Sequence, residues 1–284
     1  MNLPEGFPLS QSSLQDFIDC PRRFQLRHLL RLAWPAVRSE PVLELERYQQ
    51  LGEQIHRMIQ QHLLGVPVER LSPMAQDAEL ARWWENYLRF SQEKQGLPRI
   101  TGANARFYPE ISISAPLAGC RLIAKMDLVV LSAEGRALLI DWKTSRKRPR
   151  RTWLEKRAQT RLYPYLLVKA GAFLNHDTEI EPERVEMLYW FTTFPDQPER
   201  FAYNPTAFQA DQEFLEETIA AIQALDEASF PLTSDIRHCA FCVYRSLCDR
   251  GFKAGFFTET EASPEDEQDF DLPEEFEQIA EIGF

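Results

Sequence analysis

The sequence predicts an α/β fold: a mixed central sheet flanked by helices. Three observations lead there. Two strongly apolar runs, residues 122–131 and 137–143, are separated by Ser132-Ala133-Glu134-Gly135-Arg136, the pattern of two strands and a hairpin with glycine in its loop. Further strand-like stretches lie near 107–115 and 186–193, the first with alternating polarity and the second largely apolar. Around them, residues 43–64, 77–95 and 205–227 repeat their apolar positions with helical spacing.

In chain order, residues 9–32 (LSQSSLQDFIDCPRRFQLRHLLRL) open with Ser12 or Ser13 as N-cap candidates, followed by Leu14, Phe17 and Ile18 at helical spacing. Cys20-Pro21 breaks that pattern, and Pro21 suits the first position of a second helix, Arg22 to Arg31. The next helix, 43–64, carries a stripe of Leu51, Ile55, Met58, Ile59 and Leu63 and ends at Gly65-Val66-Pro67. His56 lies on the edge of that stripe, where a histidine is ordinarily structural. In residues 77–95, Trp83, Trp84, Tyr87 and Phe90 are better read as a core-facing stripe than as base-stacking residues. Strand 105–115 contains Glu110, which could face a metal site, but Pro109 beside it suggests a strand start, so Glu110 is left without a role.

The hairpin carries the chemistry. Side chains on a strand alternate faces, so Asp141 and Lys143 share one face while Ile140 and Trp142 share the other. A hairpin symmetric about Glu134 puts Asp127 opposite Asp141, where facing carboxylates repel unless a hard cation lies between them. A solvated strand face would also show Asp and Lys together. The apolar runs argue instead for central strands, in which two carboxylates need a compensating partner. From Lys143 to Arg161 the chain has nine Lys or Arg and one acid, Glu155. Beside a carboxylate site this block, with Arg146, Lys147, Arg148, Arg150 and Arg151 at its centre, is an electrostatic footprint for a polyanion; an isolated run would more simply be a solvated surface. A helix follows over about 152–170, with Gln159 and Tyr163 on one face.

Together, Asp127, Asp141-Trp142-Lys143 and Gln159-Thr-Arg-Leu-Tyr163 resemble the PD-(D/E)XK nuclease superfamily, specifically its RecB-like branch. The resemblance implies a restriction-endonuclease-like core and assigns roles. Asp127, Asp141 and the Trp142 carbonyl would bind Mg²⁺ or Mn²⁺, Lys143 would orient or activate the attacking water, and Gln159 and Tyr163 would position the DNA strand. The family places a G-x-x-x-H before the acids. Gly52-Glu53-Gln54-Ile55-His56 matches it, which implies that His56 is a further metal ligand; His62 does not match.

Cysteine usage adds a second centre. Residues 238–249 (HCAFCVYRSLCD) hold Cys239, Cys242 and Cys248, and five cysteines in a cytoplasmic chain argue against disulfides. Closed by Cys20, the three would make a four-thiolate site. Spacing alone leaves tetrahedral Zn²⁺ and an iron–sulfur cluster both open, and His238 could replace a thiolate at zinc. An N-terminal C-P-x-x-F cysteine with a C-terminal C-x₂-C-x₅-C is similar to the iron–sulfur nucleases, among them the CRISPR-associated adaptation exonucleases and the AddB nuclease domain, and that resemblance implies a 4Fe–4S cluster. Cys120 has no sulfur neighbour in sequence and reads as structural.

Composition sets the remaining bounds. The 284 residues, 44% hydrophobic and 26% charged, suit a soluble globular chain. No run approaches a membrane span and the N-terminus lacks a signal-peptide pattern, so a cytoplasmic protein is expected. The net charge of −11 is concentrated at the end: residues 254–284 hold eleven acids and no base, leaving the body neutral. The expected organisation is a single nuclease domain over 1–256 (helical part 10–100, catalytic core 101–200, last helix and cysteines 201–256) with an acidic, disordered tail over 257–284. That tail could serve a partner, mimic DNA or simply aid solubility. No Walker A pattern is present, so a helicase motor would come from a recombination or adaptation partner. The resemblance implies a metal-dependent deoxyribonuclease, acting as an exonuclease on DNA ends or single strands in repair, recombination or CRISPR-type processing. The competing reading is a DNA-end-binding subunit that does not cleave.

Overall fold

The computed structural model describes residues 3–32, 40–92, 97, 104–226, 229–240 and 242–251. The acidic tail expected over 257–284 lies outside them.

Among the described residues, six strands form one mixed sheet: β1 (Phe7–Leu9), β2 (Arg106–Leu117), β3 (Cys120–Leu131), β4 (Ala137–Lys143), β5 (Val185–Phe191) and β6 (Glu199–Ala202). The axis is β3. Along one edge it pairs antiparallel with β2 from Leu117↔Cys120 to Arg106↔Leu131. That hairpin turns through Ala118 and Gly119, both at positive φ (48° and 79°), as a two-residue primed turn requires. Along its other edge β3 first pairs parallel with β1 (Phe7↔Cys120 to Leu9↔Leu122) and later antiparallel with β4 (Leu128↔Ile140 to Leu131↔Ala137). Between these two ladders, among the described residues, that edge of β3 has no strand partner. The sheet forks there, and Asp127 sits at the closing end of the fork. Then β4 pairs parallel with β5, and β5 antiparallel with β6.

The expected hairpin about Glu134 is present, with Gly135 at φ 78° and Ser132 N–H bonded to the Arg136 carbonyl at 2.9 Å. The pairs 128↔140 through 131↔137 keep the predicted register.

Helices cover both faces. On one side lie α1 (Gln11–Asp19), α2 (Pro21–Phe24), α6 (Arg151–Leu154), α7 (Ala158–Ala170) and α8 (Pro205–Ala224), around a core that includes Leu14, Phe24, Leu162, Leu166 and Ile219. On the other lie α3 (Glu40–Leu63), α4 (Val68–Leu71) and α5 (Ala78–Gln92), around Ile55, Ile59, Trp83, Tyr87, Trp142 and Trp190. The aromatic stripe of α5 is therefore core, as its spacing predicts: Trp83, Trp84 and Tyr87 are buried.

Several details differ from the sequence expectation. The N-cap of α1 is Ser10, not Ser12 or Ser13. Its hydroxyl accepts from Ser13 N–H at 3.2 Å, while its own N–H is bonded by the Ser13 hydroxyl at 2.8 Å, a reciprocal box that satisfies two orphan donors. Pro21 does start the second helix, but this soon widens into a π turn, Gln25–Leu29. The helix expected over 152–170 is two, because Arg157 is extended (φ −71°, ψ 141°) and restarts the chain as the N-cap of α7. The short edge strands β1 and β6 were not anticipated.

Candidate active site

Asp127 approaches the fork from β3. Its Oδ2 accepts the Trp142 backbone N–H at 2.8 Å, and its Oδ1 lies 3.3 Å from His56 Nδ1, which reaches down from α3. A third ligand-bearing side chain joins them. Glu110 lies on β2, where the register with β3 sets it against Asp127: Pro109 pairs with Leu128 and Ile111 with Met126. Ligand atoms of His56, Glu110 and Asp127 fall within 4.8 Å of one another. Glu110 holds φ 54°, left-handed and uncommon for a non-glycine inside a strand, the kind of local strain that clusters at functional sites. The alternation of both strands slips at this point. Met126 and Val129 face the same core, as do Ile111 and Tyr108, so Asp127 and Glu110 each sit where the two-residue rhythm skips.

The electrostatics fit a cation. Burial alone would raise the Asp127 carboxyl; the adjoining His56 charge and the hydrogen bonds from His56 and the Trp142 amide outweigh it and hold the carboxyl below the usual carboxylate range. Burial, then the Asp127 charge, push Glu110 up, although Lys125 Nζ lies 2.8 Å from its Oε2. Two carboxylates and an imidazole crowded around one point are a hard-cation donor set.

Asp141 and Lys143 do share a face, toward α7. Lys143 Nζ lies 3.1 Å from Asp141 Oδ2, and both are almost fully buried. Gln159 sits between them: its Oε1 accepts from Lys143 Nζ at 3.0 Å and its Nε2 donates to Asp141 Oδ1. Tyr163, one turn further along α7, donates its hydroxyl to the Lys125 carbonyl at 2.8 Å. Burial, reinforced by the Asp141 and Asp127 charges, keeps that phenol protonated. The Trp142 indole lies in the core, edge-on to Trp190 and Tyr87. His62, set aside on sequence, is bonded to the Tyr87 hydroxyl at 2.9 Å and packs edge-on against the Trp84 and Tyr87 rings.

The basic block is mixed in its engagement. Arg148 and Arg151 both reach the Glu199 carboxylate, and Arg146 stacks over Tyr48 at 4.5 Å; Lys147 and Arg150 are exposed.

The four cysteines expected to act together do converge. Cys20, Cys239, Cys242 and Cys248 line one cavity with Arg23, His238, Arg245 and Arg250. Arg22 N–H to the Pro231 carbonyl (3.1 Å) and the Tyr244 hydroxyl to the Leu32 carbonyl (2.8 Å) fasten the two chain ends beside it. Burial first, with the charge of Cys20 adding to it, raises the thiols of Cys239, Cys242 and Cys248. A set of thiols that resists ionising together becomes a favourable ligand set once a metal group takes the charge. Cys120 is buried in the main core, away from them.

The sequence reading missed Glu110. Its signal was the Ala118-Gly119 turn: a hairpin centred there pairs Glu110 with Asp127.

The profile of the PD-(D/E)XK nuclease superfamily matches residues 8–249. No curated protein matches the chain. Solved structures similar to it include SSO0001, at 14% identity over 87% of this chain and 88% of that one, TM-score 0.39. Another is a "putative exonuclease" from Eubacterium rectale, at 11% identity over 77% of this chain and 80% of that one, TM-score 0.46.

Proposed function

The chain belongs to the PD-(D/E)XK nuclease superfamily, and from that premise we propose that it is a Mg²⁺- or Mn²⁺-dependent deoxyribonuclease acting on DNA ends or single strands. The observation that carries the reading is the convergence of His56, Glu110 and Asp127 at the fork of the sheet, beside an Asp141–Lys143 pair clasped by Gln159. His56, Glu110, Asp127, Asp141 and the Trp142 carbonyl are the donors that would hold the ion. When bound, the ion polarises the scissile phosphate and lowers the pKa of a water.

The residues around it do the rest. Lys143 presents an ammonium whose position is fixed by Asp141 and Gln159. It orients the attacking water and meets negative charge as it builds on the phosphate. Gln159 and Tyr163 position the reaction from beneath: Gln159 fixes Asp141 and Lys143, and Tyr163 braces β3 two residues before Asp127. The exposed Lys147 and Arg150, with Arg146, Arg148 and Arg151 behind them, form the track for the phosphate backbone.

The finer assignment is to the RecB-like branch, with Cys20, Cys239, Cys242 and Cys248 holding a 4Fe–4S cluster that staples the chain ends. A protein purified without oxygen should be brown and carry iron and sulfide in near-equal amounts; a colourless protein with stoichiometric zinc would replace the cluster and keep the staple. The setting we infer is cytoplasmic DNA repair, recombination or CRISPR-type processing, with a helicase or adaptation protein as partner. The test is cleavage of end-labelled single- and double-stranded DNA with Mg²⁺, Mn²⁺ or EDTA. Metal-dependent shortening that disappears in folded Asp141→Ala supports the reading. DNA binding with no cleavage under any metal would make the chain an end-binding subunit.

A further inference from the structure

Gln15 lies on α1, remote in sequence from every residue of the site, yet its side-chain amide bonds a neighbour of each centre: Ala158, next to Gln159, and Asp19, next to Cys20. Its Oε1 accepts the backbone N–H of Ala158 at 2.9 Å, and its Nε2 donates to Asp19 Oδ1 at 2.8 Å. Ala158 is the first residue of α7 and is fully buried, and the N-cap of that helix, Arg157, makes no side-chain capping bond. Gln15 therefore supplies, from another helix, the acceptor that a buried helix-start N–H requires. The next residue along α7 is Gln159, which holds Asp141 and Lys143.

The other end of the amide leads to the cysteines. Asp19 Oδ2 accepts from Arg23 Nη2 at 3.0 Å and lies 3.8 Å from His238 Nδ1 and 3.9 Å from Arg157 Nη1. Arg23 and His238 both line the four-cysteine cavity, and Cys20 directly follows Asp19. One unbroken chain of interactions thus connects the cavity, through Asp19 and Gln15, to the first turn of α7 and the catalytic lysine.

We propose that Gln15 is a positioning residue that couples the group bound by the four cysteines to the metal-binding site at Asp127 and Asp141, an inference that rests on the nuclease reading above. With the cysteine-bound group in place, Cys20, Arg23 and His238 fix Asp19. Asp19 orients the Gln15 amide, and Gln15 holds the start of α7 so that Gln159 meets Asp141 and Lys143. When that group is lost, the first turn of α7 loosens. Asp141 and Lys143 then lose a rigid partner although none of the ligands at the fork has changed.

The test uses the full chain with its cysteine-bound group loaded and reads Mn²⁺ affinity by electron paramagnetic resonance titration without DNA. Gln15→Leu keeps the bulk and removes both hydrogen bonds. It should weaken Mn²⁺ binding and lower kcat by about tenfold each, the scale of one hydrogen bond, with KM for DNA and the metal content of the cysteines unchanged. Gln15→Glu keeps the acceptor for Ala158 and loses the donor to Asp19. In the wild type, Cys248→Ser should weaken Mn²⁺ binding at the distant site; in the Gln15→Glu background it should add nothing further. Wild-type Mn²⁺ affinity in Gln15→Leu, or a Cys248→Ser effect of full size in Gln15→Glu, overturns the coupling. Should Gln15→Leu fail to fold, Gln15→Glu decides alone. A wild-type protein that binds no Mn²⁺ would instead sink the nuclease reading, so the two failures are distinguishable.

Discussion

Replacing Gln159 with leucine removes the clasp between Asp141 and Lys143 and leaves the volume of the side chain nearly unchanged. Gln159 is 6% exposed and makes two hydrogen bonds to groups that carry charge, one to each member of the pair. Such bonds contribute about 1.5–3 kcal/mol each, and a buried charge that loses one bears its desolvation alone. The ion pair at 3.1 Å persists and recovers part of the loss. A net destabilisation of about 2–4 kcal/mol follows, which for a chain of this size lowers Tm by roughly 3–7 °C. The effect on cleavage should be larger in relative terms. A catalytic group displaced by about 1 Å costs on the order of a hundredfold in rate, and Lys143 loses the acceptor that sets its ammonium. The assay is a thermal melt together with initial rates of DNA cleavage in Mg²⁺. Gln159→Glu, which still accepts from Lys143 but repels Asp141, serves as the conservative comparison and should fall between the two. A Gln159→Leu variant that melts within about a degree of wild type and cleaves at the wild-type rate would refute the view that this residue holds the site together.

Other outcomes follow from the same structure. If the basic block neutralises phosphates, Lys147→Ala should flatten the salt dependence of DNA affinity by about one unit of slope, for the phosphate left without its cation; Arg148→Ala and Arg151→Ala should matter less, because Glu199 already engages both. Burial would raise the Asp16 carboxyl, but Arg23, Arg27 and His28 around it hold it well below the usual range. A depressed folded-state value stabilises the fold above the unfolded value of about 3.9 and is lost as pH falls below it. Asp16→Asn should therefore lower Tm at neutral pH, and its difference from wild type should shrink below about pH 4 in melts run across that range. Cys20→Ser should lose the cysteine-bound metal and much of the stability, because more than two hundred residues separate Cys20 from the other three cysteines and the chain ends would lose their tie; full metal content with an unchanged melt would make Cys20 an ordinary core residue.

What could be read from the sequence was what local chemistry determines. The loop around Glu134 carries its own register, so the pairing of residues 128–131 with 137–140 followed from counting; the ladder stops one pair short of Asp127 and Asp141, and Asp127 instead accepts the Trp142 amide. The shared face of Asp141 and Lys143 followed from the period of a strand, and the stripes of α3 and α5 from the period of a helix. Glu110 escaped because Pro109 beside it looked like a strand start, and because the alternation of β2 and β3 slips at Glu110 and Asp127, which periodicity cannot anticipate. The strands β1 and β6 are too short to carry a period. The capture of Arg148 and Arg151 by Glu199, and of the Ala158 N–H by Gln15, joins segments about fifty and more than a hundred residues apart and leaves no local trace. The cysteines stand between these cases. Their types and C-terminal spacing announced a ligand set, but the arrival of Cys20 in the same cavity depends on how α1 and α2 pack.

The most direct test of the central claim is the position of a catalytic cation. Crystals of the protein soaked in Mn²⁺ and measured at an anomalous wavelength should show a peak at the fork of the sheet, within coordination distance of His56, Glu110 and Asp127 and facing Asp141. In Asp127→Ala that peak should vanish while the chain around it stays folded. A saturating soak that leaves the fork without a peak, or places Mn²⁺ on other residues, would contradict the assignment of this site as a hydrolytic metal centre.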